Sequence, residues 1–264
     1  MRPYVLSAIA AAIAAMLGAL PAAALKNVSY PEVKVKVSDA YKPDADFQKM
    51  REAFTDAAAK KDTAALFALI GPTFVWTSSG SLVERFDMGR DALHNFKVVF
   101  GFRAFGTDRD GGVEGGPFWD SLAAFAADGT YYRASDAGNL VCGPVAAEIA
   151  DDQVFSRARK RIESGDEQAD WYFTTGEVAV AKAAGDTGPP IAKLGTVALP
   201  VLAAYPTAPQ GQPAPAATHL QVLLPSGKTG WIPVTAARPL ESDRLCYAKT
   251  ADGAWKIVAF DQSE

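Results

Sequence analysis

A turn between two short apolar segments, at residues 223–232, constrains the fold of this chain more than any other feature. Two leucines precede the segment Pro-Ser-Gly-Lys-Thr-Gly, and Trp231 and Ile232 follow it. Proline fixes one turn dihedral, and Gly227 can adopt the positive φ that tight turns often require. Short apolar segments joined in this way are typical of a β-hairpin. We therefore predict that the hairpin belongs to a small antiparallel β-barrel.

The first 24 residues have the pattern of a secretory signal peptide. Arg2 provides a positive charge, and an apolar, alanine-rich run follows at residues 5–20. A proline ends this run, and three alanines then supply small residues for cleavage. The run is shorter than the roughly 20 residues that span a bilayer. We predict cleavage near Ala24 and a periplasmic or secreted mature protein with no stable membrane span; an uncleaved anchor is the alternative.

The charge and the cysteine content limit the partners and the compartment. The net charge of −4 argues against nucleic acid or an anionic membrane surface as a principal partner. Cys142 and Cys246 are the only cysteines, and in an exported chain of this size they fit one disulfide. Two separate buried thiols are the alternative. A disulfide would connect the N-terminal and C-terminal parts of the chain.

Residues 44–165 are predicted to form a mainly helical domain. Apolar residues recur at helical spacing after Asp44, and either Asp44 or Asp46 can cap the first helix. Further helices are predicted at residues 63–70, 91–100 and 118–125. The preceding residues 25–43 contain the alternating segment Val-Lys-Val-Lys-Val, which indicates either an edge strand or a mobile leader.

Residues 170–264 are predicted to form the β-barrel domain. Short apolar segments separated by glycine and proline occur throughout this part, and this pattern is typical of small antiparallel barrels. A proline-rich loop at residues 206–217 interrupts them, because proline cannot donate the hydrogen bonds of a central strand. The expected fold class is therefore α+β, with a mainly helical N-terminal domain followed by a small barrel.

This C-terminal part resembles the bacterial SH3-like (SH3b-type) domains of exported proteobacterial proteins. The segments Val-Ala-Val-Ala-Lys-Ala at 178–183 and Pro-Ile-Ala-Lys-Leu-Gly at 190–195 are similar to the opening of those domains. Residues 227–232 match their later Gly-x-x-Gly-Trp-Val strand, whereas Lys182 stands where arginine is common. The resemblance implies an SH3-like barrel that is a non-catalytic module, often associated with cell-wall peptides.

Aromatic residues of this part are the candidates for ligand binding. Tyr172, Tyr205 and Trp231 are expected to line a groove for an extended peptide. Of these three, Trp231 is assigned more readily to the barrel core, because one or two tryptophans can fill most of so small a core. Tyr172 and Tyr205 are the more exposed candidates. The expected partner is a cell-wall peptide or a protein.

The sequence contains no recognisable catalytic or metal-binding constellation, and no metal or cofactor is predicted. The two histidines, His94 and His219, lie in different predicted domains, and no H-x-H or H-E-x-x-H motif is present. A catalytic pair in which Cys142 is the nucleophile and His219 is the base would require a free Cys142 thiol. We therefore expect a non-enzymatic binding or scaffold protein of the periplasm or cell envelope. A cell-wall hydrolase, with the barrel as its targeting module, is the alternative.

Overall fold

The computed structural model describes residues 28–78, 91–100, 116–134, 139–162, 171–207 and 216–262. The predicted signal peptide and much of the proline-rich loop lie outside these ranges. The described residues form five α-helices and fourteen β-strands. The helices are α1 (Ala45–Lys60), α2 (Thr63–Ala68), α3 (Ala92–Val99), α4 (Gly116–Ala127) and α5 (Asp152–Ile162). The strands are β1 (Val33–Val37), β2 (Ile70–Ser78), β3 (Tyr132–Arg133), β4 (Val141–Gly143), β5 (Ala147–Ile149), β6 (Trp171–Thr174), β7 (Val178–Val180), β8 (Ala192–Leu194), β9 (Val197–Tyr205), β10 (His219–Leu223), β11 (Thr229–Pro233), β12 (Ala237–Pro239), β13 (Arg244–Lys249) and β14 (Trp255–Gln262).

The first large sheet contains strands from both halves of the chain. Its order is β2-β14-β13-β4-β3, with β2 and β14 parallel and the other pairs antiparallel. Helices α1 to α4 pack on one face of this sheet, where Phe47, Phe54 and Phe96 meet the sheet residues Tyr247 and Ile257. The helical side of the molecule therefore depends on strands that lie at the C-terminal end of the sequence.

The second large sheet has seven strands in an open, branched arrangement. Strands β11, β10, β9, β1 and β5 follow one another, and β6 pairs with both β9 and β12. Strand β1 thus lies between β9 and β5. Its alternating sequence buries Val33 and Val35 and leaves Lys34 and Lys36 exposed.

A shared apolar cluster joins the two large sheets, and a disulfide cross-links two neighbouring strands of the first sheet. The cluster includes Val35 of β1, Phe155 of α5 and Trp171 of β6. On the other sheet, Cys142 of β4 lies directly opposite Cys246 of β13, and the two form the predicted disulfide. Both cysteines are fully buried.

The predicted 223–232 hairpin is confirmed. Strands β10 and β11 pair antiparallel, with Leu223 opposite Thr229. Gly227 has a φ of 80°, the left-handed conformation that glycine adopts without steric cost. The two-stranded sheet of β7 and β8 adjoins this hairpin, because Ala181 forms a bridge with Trp231.

The predicted fold class, a mainly helical N-terminal domain followed by a small SH3-like barrel, is wrong. Strands β2 and β4 pair with β14 and β13, which were expected in the barrel. No sheet closes on itself among the described residues, and the sheet that contains the hairpin continues through β1 to β5. The physical reason is that an apolar strand pattern predicts a buried strand but not the partner with which it pairs.

Candidate functional site

The candidate site is a sheet surface that we call the aromatic face, formed by Tyr205, His219, Gln221 and Trp231. Tyr205 of β9 lies opposite His219 of β10, and Gln221 of β10 lies opposite Trp231 of β11. Because directly opposed residues and alternate residues share one side of a sheet, the four side chains project from the same face. On the other face, the apolar residues Leu220, Val222 and Ile232 are buried.

The rings of Tyr205 and Trp231 meet above strand β10. Their strands lie on either side of β10, yet the ring centroids are 6.2 Å apart with an interplanar angle of 84°. This edge-to-face geometry is favourable for aromatic pairs. Tyr205 is 49% exposed, and Trp231 is partly buried. The contact with Trp231 thus fixes the orientation of the Tyr205 ring at the surface.

Polar contacts fix the end of β9 beside this pair. The Thr218 hydroxyl donates a hydrogen bond of 3.2 Å to the Tyr205 carbonyl, and the Thr218 amide donates one of 2.7 Å to the same oxygen. The same hydroxyl lies 3.0 Å from Nδ1 of His219. The proline-rich segment therefore leaves and re-enters the sheet at the edge of the aromatic face.

Tyr172, the third predicted residue, lies apart from the aromatic face. On β6 it is opposite Leu199 and Pro239, and it packs against the apolar cluster of β7 to β11. Leu199 and Tyr205 are separated by six residues of β9, about 20 Å of extended strand. The structure therefore brings together Tyr205 and Trp231 and separates Tyr172 from them.

Sequence reasoning missed His219 and Gln221 as members of the aromatic face. A signal for Gln221 was present, since counting outward from the turn at residues 225–228 pairs it with Trp231. The position of Tyr205 beside His219 depends instead on the pairing of β9 with β10 across the proline-rich loop. That pairing is not encoded in either strand alone.

A buried arginine of α1, Arg51, forms a network of hydrogen bonds on the helical side of the molecule. Arg51 donates hydrogen bonds to the carbonyls of Phe125, Ala126 and Asp128 at the end of α4, and to the Tyr247 hydroxyl. Burial raises the pKa of Tyr247, and the nearby Arg51 charge partly opposes this rise. Because Arg51 already satisfies the free carbonyls at the end of a helix, we assign it to the fold.

The structure gives no support to the Cys142–His219 nucleophile. Cys142 is disulfide-bonded and buried, so it has no thiol to ionise. Among the described residues, no group of three or more His, Cys, Asp or Glu side chains is placed to hold a metal ion. In the same part of the chain, no helix combines the length and the apolar character required to cross a membrane.

Comparisons with known proteins assign no family to this chain. No family model, no curated protein and no solved structure matches it. The resemblance of roughly residues 175–264 to bacterial SH3-like sequences therefore stays a prediction.

Proposed function

We propose that this chain is an exported, non-enzymatic binding protein that holds an extended peptide of the cell envelope on its aromatic face. The observation that carries this proposal is the half-exposed Tyr205 ring, oriented by its edge-to-face contact with Trp231. Tyrosine and tryptophan supply much of the binding energy at protein interfaces, because they offer large contact areas with few rotatable bonds.

The polar residues of the aromatic face favour a peptide of low charge. His219 and Gln221 lie on β10 between the strands of the two rings. The Gln221 amide can both donate and accept hydrogen bonds, which matches the N–H and C=O groups of an extended peptide backbone. None of the four side chains is a carboxylate, an ammonium or a guanidinium.

Export to the periplasm is part of the proposal. The pattern of residues 1–24 predicts removal of a signal peptide. The buried disulfide is compatible with an oxidising, extracytoplasmic compartment. Fractionation of cells followed by N-terminal sequencing of the protein tests this part. A periplasmic chain that begins at Leu25 is expected, whereas an intact cytoplasmic chain would contradict export.

Pull-down with purified cell-wall sacculi tests the binding function. The mature protein is expected to be retained, and Tyr205→Ala or Trp231→Ala should weaken retention at least about tenfold. Ile191→Ala is the matched control, because Ile191 is also an exposed apolar residue, at 43%, but does not belong to the aromatic face. Thermal melts of each variant establish that the loss does not arise from unfolding.

A second arm of the pull-down identifies the bound part of the wall. An amidase releases the stem peptides from the glycan strands, and each soluble fraction is added to the pull-down as a competitor. The stem peptides are expected to displace the protein from intact sacculi, and the glycan strands are expected to leave it bound. Displacement by the glycan strands alone, or wild-type retention by Tyr205→Ala, would contradict the proposal.

A further inference from the structure

A concave surface at the end of β1 shares no residue with the aromatic face. This cleft of about 460 Å³, which we call the charged cleft, is lined by Lys36, Asp39, Tyr41, Lys42, Arg133 and Glu148, together with small neighbouring residues. The end of β1 and the connection to α1 form one wall, and β3 and β5 form the other. Backbone pairing fixes these walls, since Ala40 bridges to Tyr132 and the Tyr41 amide donates to the Tyr131 carbonyl at 2.7 Å.

Arg133 is oriented by an aromatic ring. Its guanidinium carbon lies 4.9 Å from the centroid of the Tyr41 ring, within the range of a cation–π interaction. The side chain is exposed and makes no salt bridge with the described residues. A guanidinium that lies on a ring keeps its N–H groups available for a planar, two-oxygen acceptor such as a carboxylate.

The charged cleft is positive although the whole chain is negative. Lys36, Lys42 and Arg133 face two carboxylates, those of Asp39 and Glu148, whereas the chain carries a net charge of −4. Glu148 lies directly opposite Lys36 in the β1–β5 ladder, so these two charges largely balance each other. Lys42 and Arg133 then exceed Asp39 by one positive charge. A concave surface with excess positive charge concentrates anions.

We propose that the charged cleft binds a small carboxylate, with Arg133 and Lys42 as the residues that contact it. The volume lies within the range of small-molecule sites and admits a ligand the size of an amino acid or a short peptide. The carboxylate belongs either to a free small acid or to the C-terminus of a peptide, and both offer the same two oxygens.

Titration of the ¹⁵N-labelled mature protein by NMR tests this site. The probes are succinate, N-acetyl-Ala-Ala and the C-terminal amide of N-acetyl-Ala-Ala. At least one of the two carboxylate probes is expected to shift the amide signals of residues 36–42 and 133, and the amide probe is expected to shift none. Succinate alone would assign a free acid, and N-acetyl-Ala-Ala alone would assign a peptide C-terminus. Binding of both would assign the carboxylate itself.

Two substitutions connect the binding to the cleft. Arg133→Gln and Lys42→Gln should each weaken carboxylate binding at least about tenfold, since each removes a charge-assisted hydrogen bond. Lys182→Gln, which removes an exposed lysine outside the cleft, should leave it unchanged. At about 10 mM probe, only very weak binding would escape detection. The absence of any shift with either carboxylate at this concentration would overturn the proposal. Equal shifts by the amide probe, or unchanged binding by Arg133→Gln, would also overturn it.

Discussion

The Tyr30 hydroxyl donates a hydrogen bond of 2.7 Å to the backbone carbonyl of Leu223, a residue 193 positions further along the chain. The Tyr30 amide donates a second bond, of 3.0 Å, to the Pro225 carbonyl. The Tyr30 ring meets Trp171 edge-to-face at 5.9 Å. Tyr30, which precedes β1, therefore belongs to the core of the second large sheet and supports the hairpin that carries Trp231.

Tyr30→Phe should destabilise the protein by about 1–2 kcal/mol, because it keeps the ring but removes a buried hydrogen bond to Leu223. The measurement is urea unfolding of the mature protein, followed by tryptophan fluorescence. Tyr205→Phe is the control, since it removes a hydroxyl from an exposed tyrosine and should change the free energy of unfolding by less than about 0.5 kcal/mol. Equal midpoints for Tyr30→Phe and the wild type would show that the hydrogen bond contributes nothing.

The disulfide should stabilise the fold by about 3–4 kcal/mol, because it closes a long loop in the unfolded chain. Cys142 and Cys246 are separated by 104 positions. The Cys142→Ala/Cys246→Ala double variant should unfold at a correspondingly lower urea concentration. Because both cysteines are fully buried, dithiothreitol should release thiols from the native protein only after denaturant is added. Non-reducing peptide mapping that recovers two free cysteines would contradict the bond.

Gly230→Ala should destabilise the hairpin because there is no room for a methyl group. A Cβ at Gly230 would overlap Cγ1 of Val180 and would lie 3.2 Å from the Ala181 carbonyl oxygen. Val180 is itself fully buried on the adjoining strand β7. We expect a loss of about 1–3 kcal/mol, typical of an overpacked core.

A double-mutant cycle with Val180→Ala tests this mechanism. Val180→Ala removes the overlapping methyl group, so the double variant should be more stable than the sum of the two single losses predicts. Urea unfolding of the four proteins gives the coupling free energy. Additive losses would place the defect in the other close contacts of the new methyl group, with Ile191 and the Ala181 carbonyl, and not in its contact with Val180.

Helix starts could be predicted from the sequence because the signals for them are local. Asp44 accepts a hydrogen bond from the Phe47 amide, and Asp91 accepts one from the His94 amide, so each caps the helix that it precedes. The hairpin at residues 223–232 was predictable for the same reason, since glycine and proline define its turn.

Strand partners could not be predicted because they depend on contacts across the whole chain. Thr77 of β2 donates a hydrogen bond of 2.7 Å to Asp261 of β14, and the two residues are 184 positions apart. Nothing in the apolar pattern of either strand specifies a parallel partner so distant. Only part of the aromatic face could be predicted. The pairing of Gln221 with Trp231 follows from the position of the turn, whereas the position of Tyr205 depends on the pairing of β9 with β10.

Three buried tyrosines should make the fold sensitive to alkaline pH. Burial raises the pKa of Tyr30, Tyr131 and Tyr247, and Arg51 partly opposes this rise at Tyr131 and Tyr247. A tyrosine whose pKa is higher in the folded than in the unfolded state binds its proton more tightly when folded. Its contribution to stability is therefore complete below the ordinary tyrosine pKa, about 10, and is lost as the pH rises above that value.

We expect the free energy of unfolding to fall above about pH 10, by about 1.4 kcal/mol per pH unit for each tyrosine that ionises only in the unfolded state. Urea unfolding at several alkaline pH values measures this slope, and the phenolate absorbance of the three buried tyrosines should rise together with the loss of circular dichroism. Tyr247→Phe should reduce this slope by the contribution of one tyrosine, about 1.4 kcal/mol per pH unit, because Tyr247 is buried beside Arg51 and phenylalanine cannot ionise. Ionisation of all the tyrosines of the protein while the circular dichroism stays complete would contradict the burial of these hydroxyls, since Tyr30, Tyr131 and Tyr247 would then ionise within the folded state.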